Sequence, residues 1–281
     1  MEAQNLTISV PPPREGPICN KNCPYCISAM TGYIQPDKST LIRNIDKAKT
    51  LARAANVSNI MLTGKGEPLL NFEFVCYLIE RFREYPTEIQ TNGLWLSKHL
   101  DAVSTLKGAG LDTIGISVDH LNQMDDLKSL IRMIRKCNMT CRICLNLTDK
   151  IPTELSFSSI FRTIKTFDIH QLLIRNIMIP QVVNYNTKRA AEAVKWIGNH
   201  VDPKIYKKLY IDFEAMIDHE RDLVRILPHG AEVFNLQGID VSFSDYCIQE
   251  SNNTKDIRSL IFLEDGHMYT SWDKVPASRL F

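Results

Sequence analysis

The chain has 281 residues, enough for one large domain or a domain with an extension, and its composition, 44% hydrophobic and 23% charged, is that of a globular protein. Lys and Arg number 33 and Asp and Glu 32, so the formal net charge of +1 disfavours long nucleic acid as a partner. No secretory signal is predicted in residues 1–10, and no apolar run approaches the roughly 18 residues of a membrane span. Eight cysteines in such a chain favour reduced thiols, metal binding and a cytoplasmic location.

Strands and helices are predicted to alternate along the first 180 residues. The predicted strands are 6–10, 59–63, 88–91, 113–118, 140–147 and 172–179. The predicted helices lie near 41–55, 72–82, 98–106, 127–136 and 156–166. Six strands alternating with helices predict parallel pairing with right-handed crossovers. The predicted fold class is therefore α/β, a partial (β/α)6 TIM-like barrel over residues 1–180.

Three cysteines, Cys19, Cys23 and Cys26, follow the first strand in one short loop. Their spacing would let three thiolates converge on one soft metal centre. A tetrahedral zinc site needs a fourth ligand, and no His or Cys lies nearby in the sequence to supply it. A cubane iron–sulfur cluster can use three protein thiolates and leave one iron open. A cysteine loop without metal is the alternative.

Polar residues follow the predicted strands at the points where these end. Residues 64–68, Gly-Lys-Gly-Glu-Pro, follow the second strand, Asn92 follows the third, and Ser117 and Asp119 lie at the end of the fourth. Parallel α/β sheets bind their ligands beyond the carboxyl ends of the strands. Glycine lets the backbone approach a ligand closely, and the carboxylate of Glu67 could hold an ammonium group. Each signal alone is weak, since Thr-Asn-Gly is often only a turn, but their shared position predicts one site.

Together these residues resemble the radical S-adenosylmethionine (SAM) enzymes over residues 6–180. Cys19, Cys23 and Cys26 match the three-cysteine cluster motif of that family, including an aromatic residue, Tyr25, before the last cysteine. Residues 64–68 resemble the Gly-Gly-Glu-Pro loop of the family, with lysine where many members have glycine.

The resemblance implies a single 4Fe-4S cluster held by the three cysteines, with SAM bound at the open iron. The residues that it implies as SAM contacts are Tyr25, Gly64, Gly66, Glu67, Asn92, Ser117 and Asp119, with Arg142 and Asn146 added because they share one face of the fifth strand. It implies reductive cleavage of SAM to a 5′-deoxyadenosyl radical that abstracts hydrogen from a small substrate, of nucleotide, sugar or amino-acid type. It also implies an oxygen-sensitive cluster and an electron donor such as flavodoxin or ferredoxin. A peptide- or RNA-modifying enzyme of the family stays open, as does a non-enzymatic zinc-binding module.

A second set of cysteines, Cys137, Cys141 and Cys144, repeats the same spacing. The first ends a predicted helix and the other two fall in the following strand, where residues three apart point to opposite faces. We therefore predict core packing for this set and no second metal site. Cys144 shares a face with Arg142 and Asn146, and a catalytic role for it as a hydrogen-atom donor is a hypothesis.

Residues 181–281 are predicted to form a C-terminal α+β extension. A helix is predicted near 190–197 and a strand at 239–243, and Asp-Gly at 265–266 predicts a hairpin between 260–263 and 268–270.

This hairpin resembles part of the SPASM or twitch extensions of some radical SAM enzymes. Because only Cys247 follows Cys144, we predict a cap over the barrel mouth without auxiliary-cluster cysteines. The candidate substrate contacts in this segment are His267, Tyr269, Trp272 and Asp273, with a structural role as the alternative.

Overall fold

The computed structural model describes residues 2–227, 231–245, 257–272 and 278–281. The strands of this part are β1 (Ala3–Ser9), β2 (Asn59–Thr63), β3 (Thr87–Thr91), β4 (Thr113–Val118), β5 (Thr140–Leu147), β6 (Gln171–Asn176), β7 (Leu223–Ile226), β8 (Glu232–Leu236), β9 (Ile239–Ser244), β10 (Ile257–Phe262) and β11 (Met268–Tyr269). The helices are α1 (Ile27–Thr31), α2 (Lys38–Ala54), α3 (Phe72–Arg81), α4 (Leu94–Lys98), α5 (Ala102–Ala109), α6 (Gln123–Lys136), α7 (Phe157–Lys165), α8 (Lys188–His200), α9 (Pro203–Glu214) and α10 (His219–Asp222), with a 3₁₀ turn at Pro68–Asn71.

The first six strands pair in chain order, and every pair among them is parallel. Their sheet does not close, because the outer edge of β1 pairs with β10 and the outer edge of β6 pairs with β9. The predicted α/β partial barrel is thereby confirmed. The carboxyl ends of β1 to β6 all lie at one mouth of this barrel.

Strand residues alternate between an apolar face and a polar face. Ile60, Ile89 and Ile143 belong to the core between the sheet and the helices, where each buried side chain of this size contributes roughly 1.5–3 kcal/mol. On the opposite face Gln90 accepts a hydrogen bond from Cys144 at a sulfur–oxygen distance of 3.6 Å. The barrel interior therefore carries polar side chains.

Predicted and observed bounds agree best for three of the barrel strands. The bounds predicted for β2, β4 and β5 are those observed. The helix predicted at 98–106 is wrong, since two helices, α4 and α5, occupy this region. His99, at φ −133°, leaves the helical conformation after Lys98, and the second helix begins only at Ala102.

The C-terminal strands extend the sheet at both of its edges. β10 pairs parallel with β1 and antiparallel with β11, which confirms the predicted hairpin. The hairpin lies beside β1, and the segment after β10 reaches the mouth, where Glu264 lies 3.4 Å from the Lys65 nitrogen. A cap over the mouth stays a prediction. The division into two domains at residue 180 stays a prediction, and Cys247 and Asp273 lie outside the described residues. Within those residues no helix has the length and apolar character needed to cross a membrane.

Candidate functional site

The three-cysteine loop lies between β1 and α1 at the barrel mouth, with Cys19, Cys23 and Cys26 each partly exposed and free of disulfide bonds. Cys26 precedes α1, and its carbonyl accepts hydrogen bonds from the first turn of that helix. The sulfur of Cys19 lies 3.4 Å from the backbone nitrogen of Lys21 and 3.9 Å from Nδ2 of Asn92. Asn92, at the end of β3, also donates to Asn20 at 2.8 Å, so β3 contacts the loop directly.

Burial raises the pKa of the Cys23 thiol to about 11 and also raises the pKa of Cys19. For Cys23, Lys21 lowers the pKa while the charges of Asp119, Cys26 and Cys19 raise it further; for Cys19, the charges of Glu67 and Cys26 add to the rise. A bound metal cation reverses this balance, because it favours the thiolate form. Three reduced thiols on one loop have the donor chemistry of iron–sulfur ligands. No group of three or more His, Cys, Asp or Glu side chains in the described ranges is arranged to hold a metal ion, so the ligand assignment stays a prediction.

The Gly-Glu-Pro loop packs directly against the stem of the cysteine loop. A Cβ atom at Gly66 would lie 2.0 Å from the carbonyl oxygen of Ile18, a distance that no side chain tolerates. The neighbouring Glu67 nitrogen donates to that same carbonyl at 3.0 Å. Gly64 lies close to β1 in the same way, since its Cβ would be 3.1 Å from the carbonyl oxygen of Val10. The two motifs that the sequence separates by some forty positions are therefore one structural unit.

The Glu67 carboxylate, 4% exposed, joins this unit to the end of β3. It accepts hydrogen bonds from Thr91 Oγ1 at 2.7 Å, from the Asn92 nitrogen at 2.9 Å and from the Leu69 nitrogen at 3.2 Å. Burial raises its pKa, and these donors oppose the rise. A carboxylate has about four acceptor positions, so a fourth donor can still be bound. The predicted contact with the SAM ammonium group stays a prediction.

Asp119, just after β4, is the centre of a second set of contacts with the cysteine loop. Its Oδ2 forms an ion pair with Lys21 Nζ at 2.7 Å, and its Oδ1 accepts from the Tyr25 hydroxyl and from Asn146 Nδ2 at 3.2 Å. Burial alone would raise the pKa of Asp119, but these partners outweigh it and hold the pKa below its usual value. Burial and the Asp119 charge raise the pKa of Tyr25. Sequence reasoning selected Tyr25, Asp119 and Asn146 but missed Lys21, whose only signal is its place between Cys19 and Cys23.

The remaining candidates lie deeper in the barrel. Ser117 is aligned with Cys144 across the β4–β5 pair. Arg142, two residues before Cys144, is bound to Glu88 at 2.9 Å and to Gln171 at 2.8 Å. The structure therefore gives Arg142 partners towards the amino ends of the strands, and its SAM contact stays a prediction.

Cys141 and Cys144 point to opposite faces of β5, as the alternation predicts. Cys141 belongs to the apolar core, where burial raises its pKa to about 12, while Cys144 faces Gln90 in the interior. The catalytic role of Cys144 stays a prediction.

Among the C-terminal candidates, Tyr269 is 3% exposed and donates to Asp265 at 3.1 Å, which favours a structural role. His267 also bonds to Asp265, through its backbone nitrogen at 3.1 Å. The ring of Trp272 lies 6.0 Å from Lys65 Nζ, so this residue reaches the barrel mouth.

Comparisons with known proteins agree with this geometry. Residues 16–133 match the family described as Radical SAM superfamily. A GTP 3′,8-cyclase of Clostridium acetobutylicum is 28% identical over 217 residues, which cover 74% of this chain and 62% of that protein. A GTP 3′,8-cyclase of Paenarthrobacter nicotinovorans is 32% identical over 111 residues, 37% of this chain and 30% of that protein. The chain thus spans less than two thirds of the length of these relatives.

Two solved structures share the fold across almost the whole chain. Native anSMEcpe with bound AdoMet and Kp18Cys peptide has a TM-score of 0.62 at 17% identity and covers 98% of this chain and 76% of its own. Streptococcus suis SuiB bound to S-adenosylmethionine has a TM-score of 0.60 at 14% identity, with coverage of 99% and 63%. At this level of identity the similarity concerns the fold alone.

Proposed function

Since the chain belongs to the radical SAM superfamily, we propose that it removes a hydrogen atom from a small substrate. Members of this superfamily are enzymes whose cofactors are a 4Fe-4S cluster and SAM. When bound, the cluster supplies the electron that cleaves SAM reductively to a 5′-deoxyadenosyl radical. Cys19, Cys23 and Cys26 would hold that single cluster.

The observation that carries this proposal is the packing of Ile18 against Gly66 and Glu67. It brings the cysteine motif and the Gly-Glu-Pro motif together at one mouth of a polar barrel. Both motifs can contact one cluster-bound SAM molecule only if they lie side by side at the same mouth of the barrel.

The other residues of the site hold this arrangement and bind SAM. Asp119 fixes the cysteine loop through Lys21 and Tyr25, and Glu67 fixes the motif loop to β3. We propose that Ser117 and Asn146 contact SAM from β4 and β5. The sheet of the partial barrel would keep water and oxygen from reaching the reacting groups through the barrel wall.

A nucleotide is the substrate class that we favour, because the two curated relatives reported above are named GTP 3′,8-cyclase. A peptide is the second candidate, because anSMEcpe is recorded with a bound Kp18Cys peptide and SuiB with its precursor peptide SuiA. An electron donor such as flavodoxin or ferredoxin and a cytoplasmic location belong to the same proposal.

Anaerobic reconstitution tests the proposal and separates it from a zinc-binding module. We expect about four irons per chain and release of 5′-deoxyadenosine when the protein is reduced with SAM. Cys19→Ala should lose both, whereas Cys137→Ala, which removes another partly exposed thiol, should keep them. Deuterium transfer from a labelled nucleotide or peptide into 5′-deoxyadenosine would identify the substrate class. Stoichiometric zinc without SAM cleavage would overturn the proposal.

A further inference from the structure

A buried carboxylate, Glu264, lies at the barrel mouth outside the motifs described so far. It follows β10 and is 1% exposed. Its Oε1 accepts a hydrogen bond from Ser9 Oγ at 2.6 Å and lies 3.4 Å from the Lys65 nitrogen. Its Oε2 is also buried and has no hydrogen-bond partner in the described part of the chain.

An unpartnered buried carboxylate oxygen is costly. A buried polar atom that lacks a hydrogen bond costs about 1–3 kcal/mol, and more when its group is charged. Burial raises the pKa of Glu264, while the Ser9 hydroxyl, the backbone N–H of Glu264 itself and Lys65 oppose the rise. Native structures retain such atoms chiefly where a ligand, an ion or a water completes their bonding.

Glu264 lines a cavity of about 130 Å³, well above the roughly 10–15 Å³ that a single water needs. Its other walls are mainly apolar or aromatic and include Ile18, Tyr33, Ile34 and Pro36. The cavity lies over β10, β1 and β2, whereas Asn92, Ser117, Asp119 and Asn146 lie over β3 to β5. Gly66 and Glu67 of the Gly-Glu-Pro loop also line it, so the cavity adjoins the proposed SAM site on the side away from β3 to β5.

The lining selects the chemistry of an occupant. Oε2 of Glu264, which has no partner among the described residues, requires an N–H or O–H donor, and the charge of the carboxylate favours a cationic donor. The apolar walls favour a short hydrocarbon stem behind that donor. Lys65 also lines the cavity, but its Nζ donates to Thr31 Oγ1 at 2.6 Å and lies over the ring of Trp272.

We propose that this cavity binds a primary ammonium group carried on a short apolar stem, with Glu264 as its acceptor. The group belongs to the second substrate and not to SAM, an identification that rests on the proposed function. The C-terminal strands then contribute a residue to substrate recognition, because the pairing of β10 with β1 brings Glu264 to the mouth.

Binding of propylammonium to the anaerobically reconstituted protein tests this assignment. Ligand-detected NMR titration would compare the wild type with Glu264→Gln, which keeps the shape and the Ser9 contact but removes the charge. Glu154→Gln, at an exposed carboxylate, is the matched control. Propan-1-ol serves as the neutral probe of similar size.

We expect Glu264→Gln to weaken propylammonium binding about tenfold or more, as for the loss of a charged hydrogen bond. The control variant should bind the probe like the wild type, and propan-1-ol should not distinguish the variants. SAM affinity should stay within about twofold in Glu264→Gln.

Equal probe affinity in wild type and Glu264→Gln would overturn the assignment and leave the cavity to water. A matching loss of SAM affinity would also overturn it, because the carboxylate would then serve SAM. Failure of the wild type to cleave SAM would instead refute the proposed function, and the propylammonium titration could still be read.

Discussion

Gly66→Ala tests whether contact between the two motif loops holds the site together. The new Cβ would lie 2.0 Å from the Ile18 carbonyl oxygen and 2.6 Å from Ile18 Cγ2. Carbon–oxygen contacts rarely fall below about 3.3 Å, so the Ile18 backbone must move by roughly 1 Å. That movement breaks the hydrogen bond from the Glu67 nitrogen, which now spans 3.0 Å. Overpacking and the lost bond together should cost about 2–4 kcal/mol.

The effect on activity should exceed the effect on stability. Ile18 precedes Cys19, so its displacement moves the proposed cluster ligands relative to the proposed SAM-binding loop, and a 1 Å misplacement can cost about a hundredfold in rate. Urea unfolding of the metal-free protein would measure the first effect, and 5′-deoxyadenosine release per bound iron would measure the second. Gly108→Ala is the control, because a Cβ there meets nothing within 4 Å and should stabilise α5 by about 0.5–1 kcal/mol. Wild-type stability and release rate in Gly66→Ala would refute the reasoning.

Three further substitutions probe separate parts of the structure. Asp119→Asn should destabilise the protein by about 1–3 kcal/mol and lower iron retention after gel filtration, since Lys21 loses its ion-pair partner; unchanged iron retention would contradict this. Cys144→Ala should lower product formation relative to 5′-deoxyadenosine release, whereas Cys141→Ala, on the helix face, should reduce only stability; unchanged product in Cys144→Ala would remove its donor role. In urea unfolding across pH, the wild type should lose stability relative to Glu264→Gln as the pH rises above 4.5, and the difference should level off above the raised folded-state pKa; a constant difference would mean that Glu264 does not ionise in this range.

Local patterns were enough to predict the strands that form the barrel. β2, β4 and β5 are apolar or alternating runs bounded by turns, and their residues pair with neighbours in chain order. The cysteine spacing and the Gly-Glu-Pro loop predicted the candidate site because both are contiguous in the sequence. The break between α4 and α5 was not predicted, because the helical spacing of apolar residues continues across His99 although the helical backbone conformation ends there.

Contacts between distant segments could not be predicted in the same way. Nothing in the residues around Glu264 indicates that its partner is Ser9, or that β10 joins β1 rather than a separate layer. The role of Lys21 could not be predicted for the same reason, because it depends on Asp119, which the fold brings within 2.7 Å. Side-chain partners that lie far apart in the sequence can therefore be identified only from the structure.

The pairing of β1 with β10 has a consequence for biogenesis. Ser9 and Glu264 are 255 positions apart, so β1 leaves the ribosome long before its outer neighbour exists. Until β10 is synthesised, one edge of β1 is unpaired and open to association with other chains. Such long-range pairing also forms slowly. The bond between Glu264 and Ser9, which lies before the cysteine loop, therefore forms late, and on a nascent chain the proposed cluster ligands would lack this support.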